Sequence, residues 1–402
     1  MCGAALTVTV VDLGRQPLAN AYVRPGTEAS EARYPLHARF CEECFLVQVD
    51  DVVPAAEIFT DYAYFSSYSD SWVDHARCFA EMAVERFSLT ADAFVVEVAS
   101  NDGYLLKHFV ARGVPVLGIE PADNVADVAR TAGVPTQTRF FGLETAAAVV
   151  AARGPADLVV ANNVLGHVPD LNDFVAGLAA AVAGDGVIAI EVPHLLPLVE
   201  RTEFDTIYHE HYSYFSLLAA SGVLARHDLR VFDVEQLPTH GGSIRILATP
   251  SGGTHPTSTA VADLLADERA AGLDRPEGFA GFAARAAACR DDLLAFLGRV
   301  GRAGEMVVAY GAAAKGNTLL NYAGVGAGDI AYVADRNPHK KGRLLPGTHI
   351  PVVDPERIDI DTPPIVLILP WNLRQEITAQ LDHIRDWGGR FVVAVPTIEE
   401  IR

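Results

Sequence analysis

Apolar runs of strand length recur along the chain in two series. The first, at 94–98, 114–119, 157–161 and 186–192, alternates with helical stretches. Short apolar runs bounded by turns predict strands buried on both faces, and strand-helix alternation predicts a parallel sheet with crossovers, here over about residues 70–235. A second series, at 306–310, 330–333, 365–369 and 391–395, predicts another unit of the same kind. Between them runs TPSGGTHPTST, 249–259, a Gly/Pro/Ser/Thr-rich linker followed by an Ala-rich helical region. The first sixty residues differ: Pro17, Pro25 and Pro35 break any helix, so short strands and turns are expected there. Three parts follow, 1–60, 61–240 and 241–402.

Composition changes this picture little. With 402 residues, 50% hydrophobic and 20% charged, the chain is too large for one ordinary core and suits two or three globular domains. No leader opens it and no apolar run is long enough for a bilayer, which points to the cytoplasm and away from membranes. A formal net charge of −20 argues against nucleic acid as a partner. A phosphorylated substrate would need a local basic pocket. Five cysteines, an odd number, give no disulfide framework.

VVEVASNDGYLLKHF, 95–109, carries the first chemistry. A strand ends at Glu97, a small-residue turn follows, and a helix begins near Gly103 and Tyr104, so backbone N–H groups face the crevice above the sheet. Ala99 and Asn101 stand where glycines often do; Ala is small and Asn tolerates a left-handed backbone. Twenty-three residues after Glu97, the next strand ends in Glu120-Pro121, where a carboxylate could hold the two hydroxyls of a ribose. Asn162 and Asn163 close the 157–161 run, with His167 beyond. Acids at two strand ends and amides at a third suit S-adenosylmethionine, which has an ammonium and a carboxylate but no pyrophosphate.

VVAYGAAAKGNTLLNY, 307–322, repeats the strand-turn-helix pattern with Lys315 at the turn, a local positive charge suited to an anion. Asp335, 24 residues after Gly311, fits a dinucleotide fingerprint. GAAAKGN lacks the G-x-G-x-x-G spacing, however, so a nucleotide-sugar diphosphate is preferred over NAD. Asn317, Arg245 of HGGSIRI, Arg336 and Lys340 are further candidate contacts, set against the alternative of solvated surface charges.

TIYHEHYSYFS, 206–216, packs two histidines and a glutamate among aromatics. In a strand His209 and His211 would point together and Glu210 away, a poor zinc site. Cys41-Glu42-Glu43-Cys44 is a better one, a C-x-x-C half-site presenting two thiolates to one ion. Cys78 and Cys289 fall in helical stretches and are expected to be buried packing residues.

Taken together, EVASNDGYLL, YHEHYSYFS, THGGSIRI, AYGAAAKGNTLLNY and VADRNPHKKGRLLPG resemble the sugar C-methyltransferases acting on nucleoside diphosphate 4-keto-deoxysugars in antibiotic pathways. The resemblance runs over nearly the whole chain. It implies an α/β protein with a small N-terminal zinc-binding domain, a central Rossmann-like S-adenosylmethionine domain and a second Rossmann-like C-terminal domain that helps hold the nucleotide sugar. It also implies active-site roles for Tyr208, Glu210 and His211: His211 as base, Glu210 as its orienting or relaying partner, Tyr208 as donor to the keto or enolate oxygen. Tyr62 and His167 follow as sugar-positioning or proton-handling residues. His209, Tyr212 and Tyr214 receive no role. For zinc, Cys2 looks like the second cysteine of a family C-x-x-C whose first would precede Met1. The expectation is an upstream start, with Cys2, Cys41 and Cys44 as ligands; zinc held by three cysteines and another ligand, or no zinc, are the alternatives. The implied reaction is methylation at C3 of a dTDP-4-keto-deoxysugar, with C5 as the alternative position. O- or N-methyl transfer, an NAD-dependent nucleotide-sugar oxidoreductase and a non-catalytic nucleotide sensor are the rival readings.

Overall fold

The computed structural model of the protein describes residues 1–54 and 65–401. Its N-terminal sheet joins β1 (Val8–Gln16), β2 (Tyr34–Phe40), β3 (Val47–Gln48) and, from far along the chain, β9 (Ser213–Tyr214). All three pairings are antiparallel. The side chains of this sheet merge with those of the C-terminal part: Val10, Leu36 and Phe40 share one apolar cluster with Phe282, Leu293, Leu319 and Leu367.

The central sheet holds β4 (Val95–Val98), β5 (Val116–Glu120), β6 (Thr136–Thr138), β7 (Ala156–Asn162), β8 (Val182–Pro193), β10 (Leu229–Leu237) and β11 (Ser243–Pro250). Their order is β10-β11-β8-β7-β4-β5-β6. From β8 to β6 every pairing is parallel, as the unbroken apolar runs predict. The other edge departs from that expectation, because β10 and β11 form an antiparallel hairpin beside β8. Only the short 238–242 turn joins them, and a parallel pair would need a crossover of a dozen residues or more.

The C-terminal sheet contains β12 (Val307–Tyr310), β13 (Val333–Ala334), β14 (Val352–Val353), β15 (Ile365–Ile368), β16 (Arg390–Val393) and β17 (Glu399–Ile401). In the order β14-β13-β12-β15-β16-β17 it is parallel except for β17. Both α/β expectations therefore hold. Among the described residues no helix is long and apolar enough to cross a membrane.

The aromatic segment of 206–216 is clamped at both ends. β9 ties its exit to the N-terminal sheet, and Val49 N–H donates to the Tyr212 carbonyl at 3.0 Å. Helix Leu217–Ala225 then starts at once, with Ser216 Oγ accepting Ala219 N–H. The buried Glu268 carboxylate accepts the Leu217 and Leu218 N–H groups at 2.6 and 2.8 Å and also meets His194 Nε2. A carboxylate there satisfies amides that a helix start otherwise leaves orphaned.

Candidate active site

The crevice above the central sheet begins where β4 delivers Glu97, a fully buried carboxylate. The turn that follows folds sharply back, with φ of +55° at Ala99, +48° at Asn101 and +79° at Gly103. A left-handed backbone costs an L residue roughly 1–2 kcal/mol, so the turn needs compensating bonds. Asn101 supplies two, accepting Ser66 N–H on Oδ1 at 2.8 Å and donating its own N–H to Glu120 at 3.0 Å. Gly118 gives the turn room, since a Cβ there would lie 2.3 Å from Ser100 Oγ.

Three acids meet in this crevice. Glu120, just before Pro121, also accepts Ala122 N–H, yet burial pushes its pKa up to about 6. Burial, then the Asp102 and Glu120 carboxylates, raise Glu97 well above the usual carboxylate range. Among the described residues, both Glu97 oxygens, Asp102 Oδ1, Asn162 Oδ1 and Asn163 Oδ1 are buried without a hydrogen bond of ordinary geometry. Orphaned acceptors beside clustered carboxylates suit a ligand that brings positive charge and donors. S-adenosylmethionine does so through its ammonium, its sulfonium and its ribose hydroxyls. Tyr104 forms a buried wall against Trp72, ring centroids 6.0 Å apart.

His167, beyond Asn163, links this crevice to the aromatic segment: its Nδ1 lies 2.7 Å from the Glu210 carbonyl. Its ring meets His211 edge-on at 4.6 Å. His211 Nδ1 lies 3.0 Å from the Thr206 carbonyl, and its Nε2 lies 2.8 Å from Tyr208 Oη. A carbonyl can only accept, so Nδ1 carries the proton, Nε2 holds the lone pair, and the Tyr208 hydroxyl donates to it. Burial, reinforced by His167, keeps the His211 pKa well below 6.5, and burial alone brings His167 to about 4. At neutral pH both rings are uncharged.

Glu210 is not the group that orients His211. Its carboxylate accepts Asn20 N–H and Nδ2–H at 3.0 and 3.3 Å, facing the N-terminal segment, and the Thr206 carbonyl orients His211 instead. The cause is local: His211 N–H bonds back to the Tyr208 carbonyl in a tight turn, so neighbouring side chains diverge. His209 packs against the N-terminal sheet, Nε2 3.1 Å from the Pro35 carbonyl. Tyr62 lies outside the described residues.

Sequence reasoning missed two groups. His240, from the turn between β10 and β11, sits at φ +59°. Gly241 and Gly242 follow it at φ +103° and +140°, where a Cβ would strike Trp371 or Pro197 at 2.5 and 2.7 Å. The edge contact of His240 with Trp72, centroids 5.0 Å apart, is worth about 0.5–1.5 kcal/mol and offsets a left-handed cost of the same size. A histidine before paired glycines in THGGSIRI was the available signal. The second group is acidic. Burial pushes Glu203 up to about 7 and Asp205 up to about 6, with Lys315 opposing both. Lys315 Nζ donates to Asn372 Oδ1 at 2.7 Å and lies 4.4 Å from the Trp371 ring. Its charge also reaches His211 and His240, which places it near both rings.

Two expected sugar contacts are otherwise engaged. Arg245 is buried between Glu191 and Glu235, at 2.9 and 2.7 Å, with its guanidinium over Phe79, so it serves the sheet rather than a diphosphate. Asn317, 1% exposed, donates to the Ala19 carbonyl and joins the helix after β12 to the N-terminal segment. Arg336 is exposed. Lys340 donates to the Ala312 carbonyl, which Tyr22 also meets. Asp335 accepts Ala312 and Asn337 N–H groups, the same pair of contacts that Glu120 makes with Asn101 and Ala122.

Cys2, Cys41 and Cys44 converge, their sulfurs all within 4.8 Å of one another, the spacing that thiolates around a tetrahedral zinc require. Among the described residues no fourth His, Cys, Asp or Glu joins them. Cys289 is buried and donates to the Ala394 carbonyl, whereas Cys78, expected inside, is exposed on its helix.

Three family descriptions match the chain in succession: "Putative zinc binding domain" over residues 1–59, "Methyltransferase domain" over 72–234 and "C-methyltransferase C-terminal domain" over 238–396. Among solved structures, magnesium protoporphyrin IX methyltransferase of Synechocystis PCC 6803 is 14% identical, covering 50% of this chain and 100% of its own, with a TM-score of 0.37. The 1,6-didemethyltoxoflavin-N1-methyltransferase of Burkholderia thailandensis is 16% identical, covering 51% and 94%, also at 0.37. C-methyltransferase NovU of Streptomyces niveus is 36% identical over 397 residues, 98% of this chain and 94% of that protein. A likeness of that extent, with the three matching descriptions, makes this chain a member of the S-adenosylmethionine-dependent C-methyltransferase family.

Proposed function

We propose that the enzyme methylates C3 of a dTDP-4-keto-2,6-dideoxyhexose, in the making of a deoxysugar for an antibiotic, through an enolate. The observation that carries this reading is the Tyr208–His211 pair, a neutral imidazole with its lone pair aimed at a phenol beside the methyl-donor crevice. Transfer to oxygen or nitrogen uses a lone pair the substrate already has. Transfer to carbon needs a proton removed first, and a C–H beside a ketone can be ionised by a placed base if the oxygen is stabilised.

In the proposed sequence the sugar's C4 oxygen draws the Tyr208 hydroxyl from His211, leaving Nε2 open. The C3–H bond breaks, its proton goes to Nε2, and its electrons pass to the C4 oxygen as an enolate. Bound S-adenosylmethionine supplies an electrophilic methyl group. The enolate carbon then forms its bond to that methyl as the sulfur–methyl bond breaks, and the His211 proton returns to solvent. Lys315, near His211, is suited to an anionic part of the substrate, and exposed Arg336 to the diphosphate. Cys2, Cys41 and Cys44 would give a structural zinc three of its four ligands.

The test is product NMR and mass spectrometry after incubation with S-adenosylmethionine and the keto sugar. A new methyl on C3 is expected. A methyl on C5 would keep the enolate chemistry and move the position, whereas a methyl on oxygen or nitrogen would overturn the reading.

A further inference from the structure

We propose that His240 is a catalytic residue of this reaction, donating a ring N–H to the C4 oxygen of the sugar as the enolate forms; the inference rests on the enolate reading above. The placement of the ring is the first ground. His240 stands within electrostatic reach of His167, His211 and Lys315, held edge-on against Trp72, which itself stacks on the buried Tyr104 of the S-adenosylmethionine crevice. The second ground is an unmet bond: His240 Nδ1 is buried and has no hydrogen-bond partner among the described residues, a state that buried polar atoms seldom keep without a ligand to meet them. The third is the backbone. A non-glycine residue at φ +59°, followed by two glycines that admit no Cβ, is a strained arrangement maintained for what it positions.

The chemistry favours a neutral donor. An imidazolium would hand its proton to the oxygen and leave an enol, a poorer carbon nucleophile than an enolate. A neutral ring donates a hydrogen bond and leaves the charge on oxygen, available to the carbon. Burial first, then Lys315, hold the His240 pKa at about 4 against the opposing Glu191, so the ring is neutral wherever the enzyme would work. His240 and Tyr208 would then serve as the two donors that an oxyanion can accept.

The experiment compares wild type, His240→Gly and His240→Asn in deuterated water with the keto sugar, S-adenosylhomocysteine replacing the methyl donor. Glycine relaxes the left-handed backbone and removes the donor; asparagine tolerates the backbone and keeps an N–H. Melting temperature and S-adenosylhomocysteine binding check that each variant is folded. His240→Gly is expected to slow exchange at C3 about 100-fold, the effect of losing one oxyanion donor. The same variant should keep KM for the sugar close to wild type, and His240→Asn or added imidazole should restore much of the rate. Exchange by His240→Gly at the wild-type rate would overturn the proposal. So would a loss confined to KM that neither asparagine nor imidazole repairs. Absence of exchange in the wild type would instead overturn the enolate reading, and this inference with it.

Discussion

Tyr208 Oη and His211 Nε2 lie 2.8 Å apart, with the far nitrogen of the imidazole committed to the Thr206 carbonyl. That geometry fixes which nitrogen is basic and makes the phenol its partner until a substrate intervenes. Burial and His167 keep the His211 pKa well below 6.5. A lowered pKa in a base means that the proton leaves at lower pH, so the competent neutral form persists as pH falls. The profile of kcat/KM for the sugar, at saturating S-adenosylmethionine, should therefore stay level on descending through pH 6.5 and drop only well below it. A half-maximal point at 6.5 would mean an imidazole in ordinary surroundings.

Glu120 makes the binding of S-adenosylmethionine depend on pH. Its pKa is raised to about 6, and only the charged form offers both oxygens as acceptors to ribose hydroxyls. Affinity measured by titration calorimetry should fall as pH drops through about 6. Glu120→Gln should weaken binding by about 1.5–3 kcal/mol, roughly 10- to 100-fold, and abolish that pH dependence.

The Glu203–Asp205–Lys315 cluster predicts an effect on stability. Burial raises Glu203 from its ordinary value to about 7, so the folded protein holds this proton more tightly than the unfolded chain. The stabilisation is full below the unfolded pKa near 4.5 and is lost as pH rises to about 7. A one-unit gap between the folded and unfolded values corresponds to about 1.4 kcal/mol, so the window spans about 3–4 kcal/mol for an isolated group. Denaturant melts at pH 5 and pH 8 should differ by less in Glu203→Gln than in the wild type.

Arg245 separates a structural residue from a ligand contact. Replacing it with methionine removes the buried cation between Glu191 and Glu235, and breaking a buried pair costs about 3–5 kcal/mol. Urea melts should show a large part of that loss, while KM for the sugar changes little. A raised KM with unchanged stability would restore the diphosphate role expected from the sequence.

Local signals carried much of the architecture. The apolar runs marked both parallel sheets, and the small-residue turn at Ala99 and Asn101 was legible because asparagine and alanine can accept a left-handed backbone. YHEHYSYFS and the C-x-x-C pair were visible for the same reason: their chemistry is concentrated within a few residues. What escaped depends on distant partners. Glu210 finds Asn20, 190 residues away, and Arg245 finds Glu191 across the sheet. Burial decided the matter for Asn317, since an amide at a helix start reads alike whether it meets solvent or the Ala19 carbonyl. Periodicity reports which face is apolar, not which polar group waits opposite. His240 escaped because a left-handed histidine before two glycines looks like a loop until Trp72 and Lys315 stand around it.

The central claim is that a placed base ionises the carbon beside the ketone. Its most direct test follows the C3 proton of dTDP-4-keto-2,6-dideoxyhexose by NMR in deuterated water, with enzyme and S-adenosylhomocysteine but no methyl donor. Loss of the C3–H signal with wild type, its persistence with His211→Asn, and equal binding of S-adenosylhomocysteine by both is the predicted result. Exchange at an undiminished rate in His211→Asn, or none in a wild type that binds both ligands, would contradict it.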